Sequence, residues 1–288
     1  MDGILVIDKP KGITSRDVVN QVGKLLHTKK VGHTGTLDPL ATGVLVLCVG
    51  KATKLVDLIV AQEKEYIAKV VLGIHTDTLD ITGEILDRQE VAIDETQIID
   101  ALDSMKGSYM QEVPIYSAVK IDGHKLYEYA RKNKKVELPK RMVTISDIEY
   151  LNDFNISNGQ VSFSFRCVVS KGTYIRSLIR DIASKLNTIG VMAELRRTRQ
   201  GDYSIKQAFS LEQIELGKYS MGSMRDALRS YYTVVADSYL SNKIRHGQIL
   251  ENRYESDTIL FVDENNQLLA LYQVYDKDHT KVKPWKMF

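Results

Sequence analysis

Apolar residues recur along this chain in two rhythms, and the changes between them mark out its elements. Residues 3–8 form a short apolar run that predicts a first strand, ended by the turn chemistry of Lys9-Pro10-Lys11-Gly12. Val18, Val19, Val22, Leu25 and Leu26 follow at helical spacing, so a helix with one buried stripe is expected, capped by Ser15. Residues 44–49 are unbroken apolar positions closed by Gly50, the pattern of a strand buried on both faces. A short helix over 52–60 and a strand over 64–73 come next. Asp94 then caps a helix that turns Ile98, Ile99, Leu102 and Met105 inward. Alternation over 161–169 predicts a half-buried strand, and residues 210–216 and 223–230 read as short surface helices. From about Ala236 the texture changes to short strands: 259–262 and 268–275 flank Asp263-Glu264-Asn265-Asn266, which is hairpin chemistry. No internal repeat or low-complexity linker is visible.

Composition narrows the picture without naming a partner. A chain of 288 residues suits one large domain plus a small one, or two medium ones. Hydrophobic content of 43% and charged content of 26% are those of an ordinary globular protein. A net charge of +2 is too small to announce a nucleic-acid binder, so any such affinity rests on local patches. Residues 120–141 carry eight Lys or Arg against three acids, and 166–201 carry eight against two. Residues 76–104 compensate with nine acids and one Arg, and are expected to face away from a polyanion. Cys48 and Cys167 each sit in an apolar run, which reads as buried thiols in a reducing compartment. The six histidines show no zinc spacing, no stretch has membrane-span length, and residues 4–7 are too short for a signal-peptide core. A cytoplasmic protein is expected.

The densest chemistry lies in residues 31–50, where Asp38 is the only acid. Gly32, Gly35 and Gly43 permit backbone angles or close approaches closed to other residues. Pro39 holds Asp38 out of the helical region, and Leu37, Leu40 and Ala41 offer its carboxylate no solvation. Such a carboxylate stays ionised only beside a cation, so the loop requires an Arg from elsewhere in the chain. A phosphate loop is excluded: Gly50-Lys51 is followed by Ala52, and Leu45 stands where the first glycine belongs.

His33-Thr34-Gly35-Thr36-Leu37-Asp38-Pro39-Leu40-Ala41-Thr42-Gly43 resembles the catalytic motif of the TruB family of tRNA pseudouridine-55 synthases. Four further segments are similar to that family, in its order: Asp8-Lys9-Pro10-x-Gly12-x-Thr14-Ser15; Tyr66 with Thr76-Asp77-Thr78-x-Asp80-x-x-Gly83; the Pro114 to Arg131 segment containing Tyr116-Ser117-Ala118; and Gly172-Thr173-Tyr174-Ile175-Arg176. Together they cover roughly residues 3–210. The resemblance implies an α+β fold, a mixed, largely antiparallel sheet with a central catalytic cleft, plus a small C-terminal β-barrel of the PUA kind. It implies a catalytic domain over 1–232 with a mobile, basic RNA-clamping insertion at about 117–141, and an RNA-binding lobe over 233–288. Asp38 is then the catalytic residue and Arg176 its partner, and a buried pair of this kind repays its desolvation only when well hydrogen-bonded, which bidentate geometry permits. Tyr66 stacks on the base, and Tyr174 and Leu195 line the pocket. His33 fills the space the extruded uridine leaves, while Lys9 and Pro10 build the site wall and Asp80 supports it. Arg196, Arg197 and Arg199 are expected to meet phosphates. The implied reaction turns uridine into pseudouridine in the TΨC stem-loop of tRNA, without cofactor or metal, in a monomer needing no protein, guide RNA or membrane. A guide-RNA-dependent relative acting on ribosomal RNA and a non-catalytic RNA-binding module are the rival expectations.

Overall fold

The computed structural model describes residues 1–132 and 134–288; Asn133, within the predicted basic run 131–135, lies outside them. β1 (Gly3–Lys9) leads through the Pro10 turn into α1 (Ser15–Leu25). The cap of α1 is Thr14, not Ser15: Asp17 N donates to Thr14 Oγ1 at 3.1 Å, and Thr14 N donates to Asp17 Oδ2 at 2.9 Å. Two cap-competent residues stand side by side, and the reciprocal bond with Asp17 is open only to the first of them. Ser15 is thereby free to turn inward.

β2 (Val31–His33) and β3 (Thr42–Val49) flank the Asp38 loop. The helix predicted over 52–60 is a 3₁₀ turn, Gly50–Leu55, followed by α2 (Val56–Val60). β4 (Lys64–Leu72), the hairpin of β5 (Ile74–Thr76) and β6 (Ile85–Arg88), α3 (Glu95–Asp103) and β7 (Gly107–Glu112) follow. The insertion contains the small hairpin of β8 (Lys120–Ile121) and β9 (His124–Lys125), then α4 (Leu126–Arg131). β10 (Lys140–Tyr150), β11 (Asn155–Ser157), β12 (Gln160–Val169), α5 (Ile175–Lys185), β13 (Gly190–Gln200) and β14 (Tyr203–Ser204) complete the sheet region. α6 (Leu211–Glu215) and α7 (Met224–Ala227) are the two short helices, capped by Ser210 and Ser223.

The main sheet runs β1-β3-β13-β4-β12-β10-β7, antiparallel except where β13 meets β3 in parallel at Arg196 with Thr42 and Arg197 with Gly43. That approach is possible because position 43 has no side chain: its φ is +99°, and a Cβ there would lie 2.2 Å from the Arg197 carbonyl oxygen. α1, α3 and α5 pack on one face through Val18, Val22, Ile98, Leu102, Leu178 and Ile182 against Ala68, Val70, Phe163 and Phe165. Ile99 does not join them and is 41% exposed, because Ala101 takes the inward position instead. β12 keeps the expected alternation, with Val161, Phe163, Phe165 and Cys167 buried and Ser162 and Arg166 on the other face only half so, while Asp153 accepts from the backbone and hydroxyl of Ser164.

The C-terminal segment is a curled half-barrel, β15 (Tyr232–Ala236), α8 (Ser238–Arg245), β16 (Leu250–Glu251), β17 (Thr258–Asp263), β18 (Leu268–Tyr275) and β19 (Asp278–Met287), with strand order β15-β17-β18-β19-β16. The predicted hairpin is β17 and β18. One of its core clusters is shared with the main sheet: Leu260, Val262 and Leu271 pack with Ile4, Val6, Val44, Val46 and Cys48 of β1 and β3. Polar ties reinforce the seam, with Lys54 Nζ donating to Met287 O at 2.6 Å and Lys286 paired with Asp57 at 3.0 Å. Both cysteines are free and buried.

Candidate active site

The loop 33–43 is held from beneath by groups donating to its backbone. Arg197, fully buried on β13, donates from Nε to Val44 O at 2.6 Å and from Nη2 to Gly35 O at 3.0 Å. Gln200, equally buried, donates to Thr34 O at 3.0 Å and Thr34 Oγ1 at 2.9 Å. Ser15 bonds Leu37 in both directions, donating to its carbonyl at 3.1 Å and accepting from its N–H at 2.8 Å. Gly12 N donates to Pro39 O at 2.8 Å. Loop backbone that would otherwise be unsatisfied is paired here, which fixes where Asp38 stands.

Arg176, near the start of α5, reaches Asp38 from a place 138 positions further along the chain. Its Nε lies 3.0 Å from Asp38 Oδ2; the arginine side chain is 7% exposed and the aspartate 37%. The contact is single and not the bidentate pair that the two side chains would permit, because Nη1 donates to Thr78 O at 3.0 Å and Nη2 to Tyr116 O at 2.9 Å. One guanidinium thus joins the Asp38 loop, the turn after β5 and the base of the insertion. Nor is Asp38 enclosed; its carboxylate is open to whatever fills the cleft.

The turn that presents Thr78 O is built by Asp80, which is 6% exposed. Its Oδ1 accepts from Thr78 Oγ1 at 3.0 Å, Thr82 N at 2.9 Å and Thr82 Oγ1 at 2.5 Å. Leu79 beside it sits at φ +61°, a conformation disfavoured for a bulky residue and held by its own backbone bonds, its N–H donating to Thr76 O at 3.3 Å and its carbonyl accepting from Met192 N at 3.1 Å. Asp77 accepts from the Tyr116 hydroxyl at 2.8 Å. Asp77 and Asp80, the first acids of the stretch 76–104, are thus spent on turn contacts beside the cleft, and neither lines it.

Asp38 and Arg176 open into a cleft of about 400 Å³ walled by Tyr66, Tyr116, Tyr127, Tyr174, Met192 and Leu195. Of the residues singled out from sequence, Tyr66, Tyr174, Leu195, Arg176 and Asp38 meet here. Tyr174 is the residue before α5, and its backbone is gripped by fully buried Gln111: Tyr174 N donates to Oε1 at 2.8 Å, and Nε2 donates to Tyr174 O at 3.2 Å. A larger cavity of about 580 Å³ opens beside β7 and α5, but its Arg180 is already paired with Glu112 and Asp181.

Lys9 and Pro10 do not wall the cleft. Lys9 is fully buried behind it, donating to Pro10 O at 2.8 Å and Ile13 O at 2.7 Å. Burial pulls its ammonium down to about 8, against the attraction of Asp38. Pro10 is exposed. His33 ends β2 outside the cleft lining; burial, then Arg16 and Arg197, lower its pKa, so it stands neutral, and its Nδ1 has no partner among the described residues.

The arginines predicted to meet phosphates are turned to other uses. Arg197 is inside the protein, Arg196 pairs with Asp8 at 2.8 Å, and Arg199 donates to Gly201 O at 3.2 Å and approaches Glu65 at 4.0 Å. Charge counting cannot distinguish a buried cation from a surface one. Four contributors carried no assigned role in the sequence reading. Tyr116 and Tyr127 fell within a recognised segment, whereas Gln111 and Met192 left no signal, being a polar strand residue and an ordinary apolar one.

Residues 23–175 match the model described as "TruB family pseudouridylate synthase (N terminal domain)", and residues 176–235 match "tRNA pseudouridylate synthase B C-terminal domain". The chain is 39% identical to tRNA pseudouridine synthase B of Bacillus subtilis (strain 168) over 302 residues, and 38% to that of Bacillus cytotoxicus over 298. Each alignment covers 100% of this chain and 97% of the relative. Among solved structures, a chain of an H/ACA RNP bound to a substrate RNA containing 2'-deoxyuridine superposes with a TM-score of 0.70 at 26% identity, over 99% of this chain and 84% of that one. A chain of the archaeal box H/ACA sRNP Nop10-Cbf5 complex shares the fold, with a TM-score of 0.69 at 24% identity over 99% and 85%. Fold and cleft are thus those of a pseudouridine synthase, which is an isomerase. The chain belongs to the TruB family of pseudouridylate synthases.

Proposed function

We propose that this chain isomerises a uridine of the TΨC loop of tRNA, position 55, to pseudouridine, with Asp38 as nucleophile and no cofactor. The observation that carries the reading is the Asp38–Arg176 contact at 3.0 Å inside a tyrosine-walled cleft. The relatives named tRNA pseudouridine synthase B point to tRNA. A cleft of about 400 Å³ suits one extruded nucleoside, small-molecule sites spanning ~300–1,000 Å³. Unstacking a base costs a few kcal/mol in a duplex and less in a loop, and Tyr66 offers a flat face in place of the lost neighbours.

Asp38 attacks C1′ of the ribose or C6 of the base. The N1–C1′ bond breaks, the uracil turns within the closed pocket, C5 bonds to C1′, the bond to Asp38 breaks and returns the carboxylate, and the C5 proton leaves with Tyr174 or Tyr66 as carrier while N1 takes up a proton. Arg176 holds the attacking carboxylate in place, and Leu195 lies against the base. Asp80, Lys9 and Pro10 act at one remove by fixing the two turns, and His33 takes the uridine's place in the RNA loop.

Residues 1–232 form the catalytic domain. The insertion at 117–141 closes over the RNA, and 233–288 form a PUA-like lobe. On that lobe Lys243 lies 4.4 Å above the Tyr239 ring, a pair suited to RNA. The protein works as a cytoplasmic monomer without protein or guide-RNA partner; among the described residues no helix is long and apolar enough to cross a membrane.

The test is tritium release from C5-labelled uridine in a bare tRNA transcript by the purified chain. Release is expected from the parent and none from Asp38→Asn, which should still bind the tRNA. Turnover by the variant would remove Asp38 from the chemistry, and an inactive parent would favour the guide-RNA-dependent alternative.

A further inference from the structure

Arg141 is a cation whose planar fork donates no side-chain hydrogen bond among the described residues. Arg166, Arg176, Arg180 and Arg196 all pair with carboxylates, whereas among the described residues no carboxylate lies within ion-pairing distance of Arg141. It is nevertheless carefully seated. Its guanidinium carbon lies 5.7 Å from the centroid of the Tyr174 ring, and its Nη1 and Cδ lie 3.3 and 3.5 Å from where a Cβ of Gly172 would stand. Gly172 has φ +88°, so the chain bends beneath the arginine where only glycine is comfortable.

The seating follows from strand register. Arg141 lies opposite Gln111 in the β10–β7 ladder, and the side chain of that same Gln111 grips Tyr174 N and O. One strand position thus fixes both the arginine and the tyrosine it covers. Tyr174 in turn lines the cleft with Asp38. A stacked guanidinium loses little freedom when it binds, and its N–H edges match two oxygens of a phosphodiester.

We propose that Arg141 is a substrate-positioning residue that grips an RNA phosphate flanking the nucleotide whose base enters the cleft. The inference rests on the reading of the cleft as a uridine site. It assigns the entrance of β10 a specific contact, distinct from the diffuse attraction of the lysines in the insertion.

The test uses T stem-loop RNAs carrying a single neutral methylphosphonate at each phosphate on either side of the target uridine, read by single-turnover rates and KM. Arg141→Ala is expected to lower kcat/KM on the unmodified RNA roughly 10- to 100-fold. One methylphosphonate should cost the parent a similar factor and cost Arg141→Ala nothing further. If the two losses multiply at every position, Arg141 touches no flanking phosphate and the proposal falls. A merely structural role would lower turnover of charged and neutral RNAs alike. Arg141→Lys, which keeps the charge at this half-buried site, covers the case in which the alanine variant fails to fold: its methylphosphonate penalty should persist at the same position, and an absent penalty overturns the proposal. Failure of the uridine reading looks different, since the parent would then leave the unmodified RNA unchanged.

Discussion

Arg176 meets Asp38 through Nε alone, at 3.0 Å, and gives its other two nitrogens to the carbonyls of Thr78 and Tyr116. A lysine at 176 has one ammonium and cannot serve three oxygens that diverge from a plane. Arg176→Lys should therefore lower kcat at least ~100-fold and destabilise the fold by about 2–4 kcal/mol, the range for breaking a buried, hydrogen-bonded charge. Rapid-quench turnover and urea unfolding measure the two effects. A variant with parental kcat would show that charge alone suffices.

The phenol of Tyr116 ties the base of the insertion to Asp77 at 2.8 Å. Removing one such bond at a partly exposed site costs about 1 kcal/mol, or roughly fivefold. Tyr116→Phe is expected to raise KM for tRNA by that factor with kcat nearly unchanged, and to speed amide exchange in α4. Unaltered exchange and KM would mean that the carbonyl bond to Arg176 holds the insertion unaided.

Gly43→Ala should cost about 2–3 kcal/mol or more, since φ of +99° and a Cβ 2.2 Å from Arg197 O must both be relieved. The parallel contact between β3 and β13 opens to make room, which displaces the Asp38 loop. Thermal melting and turnover should fall together; a stable but inactive protein would contradict this coupling.

Two buried lysines give stability a pH dependence of defined sign. Burial lowers Lys9 and Lys64 from 10.5 to about 8, so between those values the folded chain has shed protons that the unfolded chain keeps, and raising pH favours folding. Above 9 the Cys48 thiol, pushed by burial to about 12, and Cys167, pushed up likewise, oppose the rise. Above 10 the buried Tyr203 and Tyr272, both raised to about 12, reverse it. The urea midpoint should climb from about pH 8 to 9 and decline beyond 10, with a shallower climb in Lys64→Met. A level midpoint across pH 8–9 in the parent would mean that neither lysine is perturbed.

The pairing of Asp38 with Arg176 was legible from the motif around Arg176, whereas the desolvation expected from Leu37, Leu40 and Ala41 is not found: the Asp38 side chain is 37% exposed and opens on the cleft. The arginine's second task was not legible, since no pattern in the chain announces which carbonyls a guanidinium will find. The strands at 3–8, 44–49, 64–73 and 161–169 followed the apolar runs, but strand order did not show in them, and the parallel contact at Gly43 depended on a missing atom. Ser15 looked like a cap because composition cannot say which of two adjacent hydroxyls turns inward. The arginines of β13 misled for a related reason: strand alternation sends Arg196 and Arg197 to opposite faces, and only one of those faces meets water.

β3 is a party wall, with the Asp38 loop at its head and the half-barrel's apolar residues against its back. Two rooms that share such a wall keep a constant spacing. On the proposed reading, in which both rooms touch RNA, that fixed spacing sets the span an RNA must have to reach the two at once.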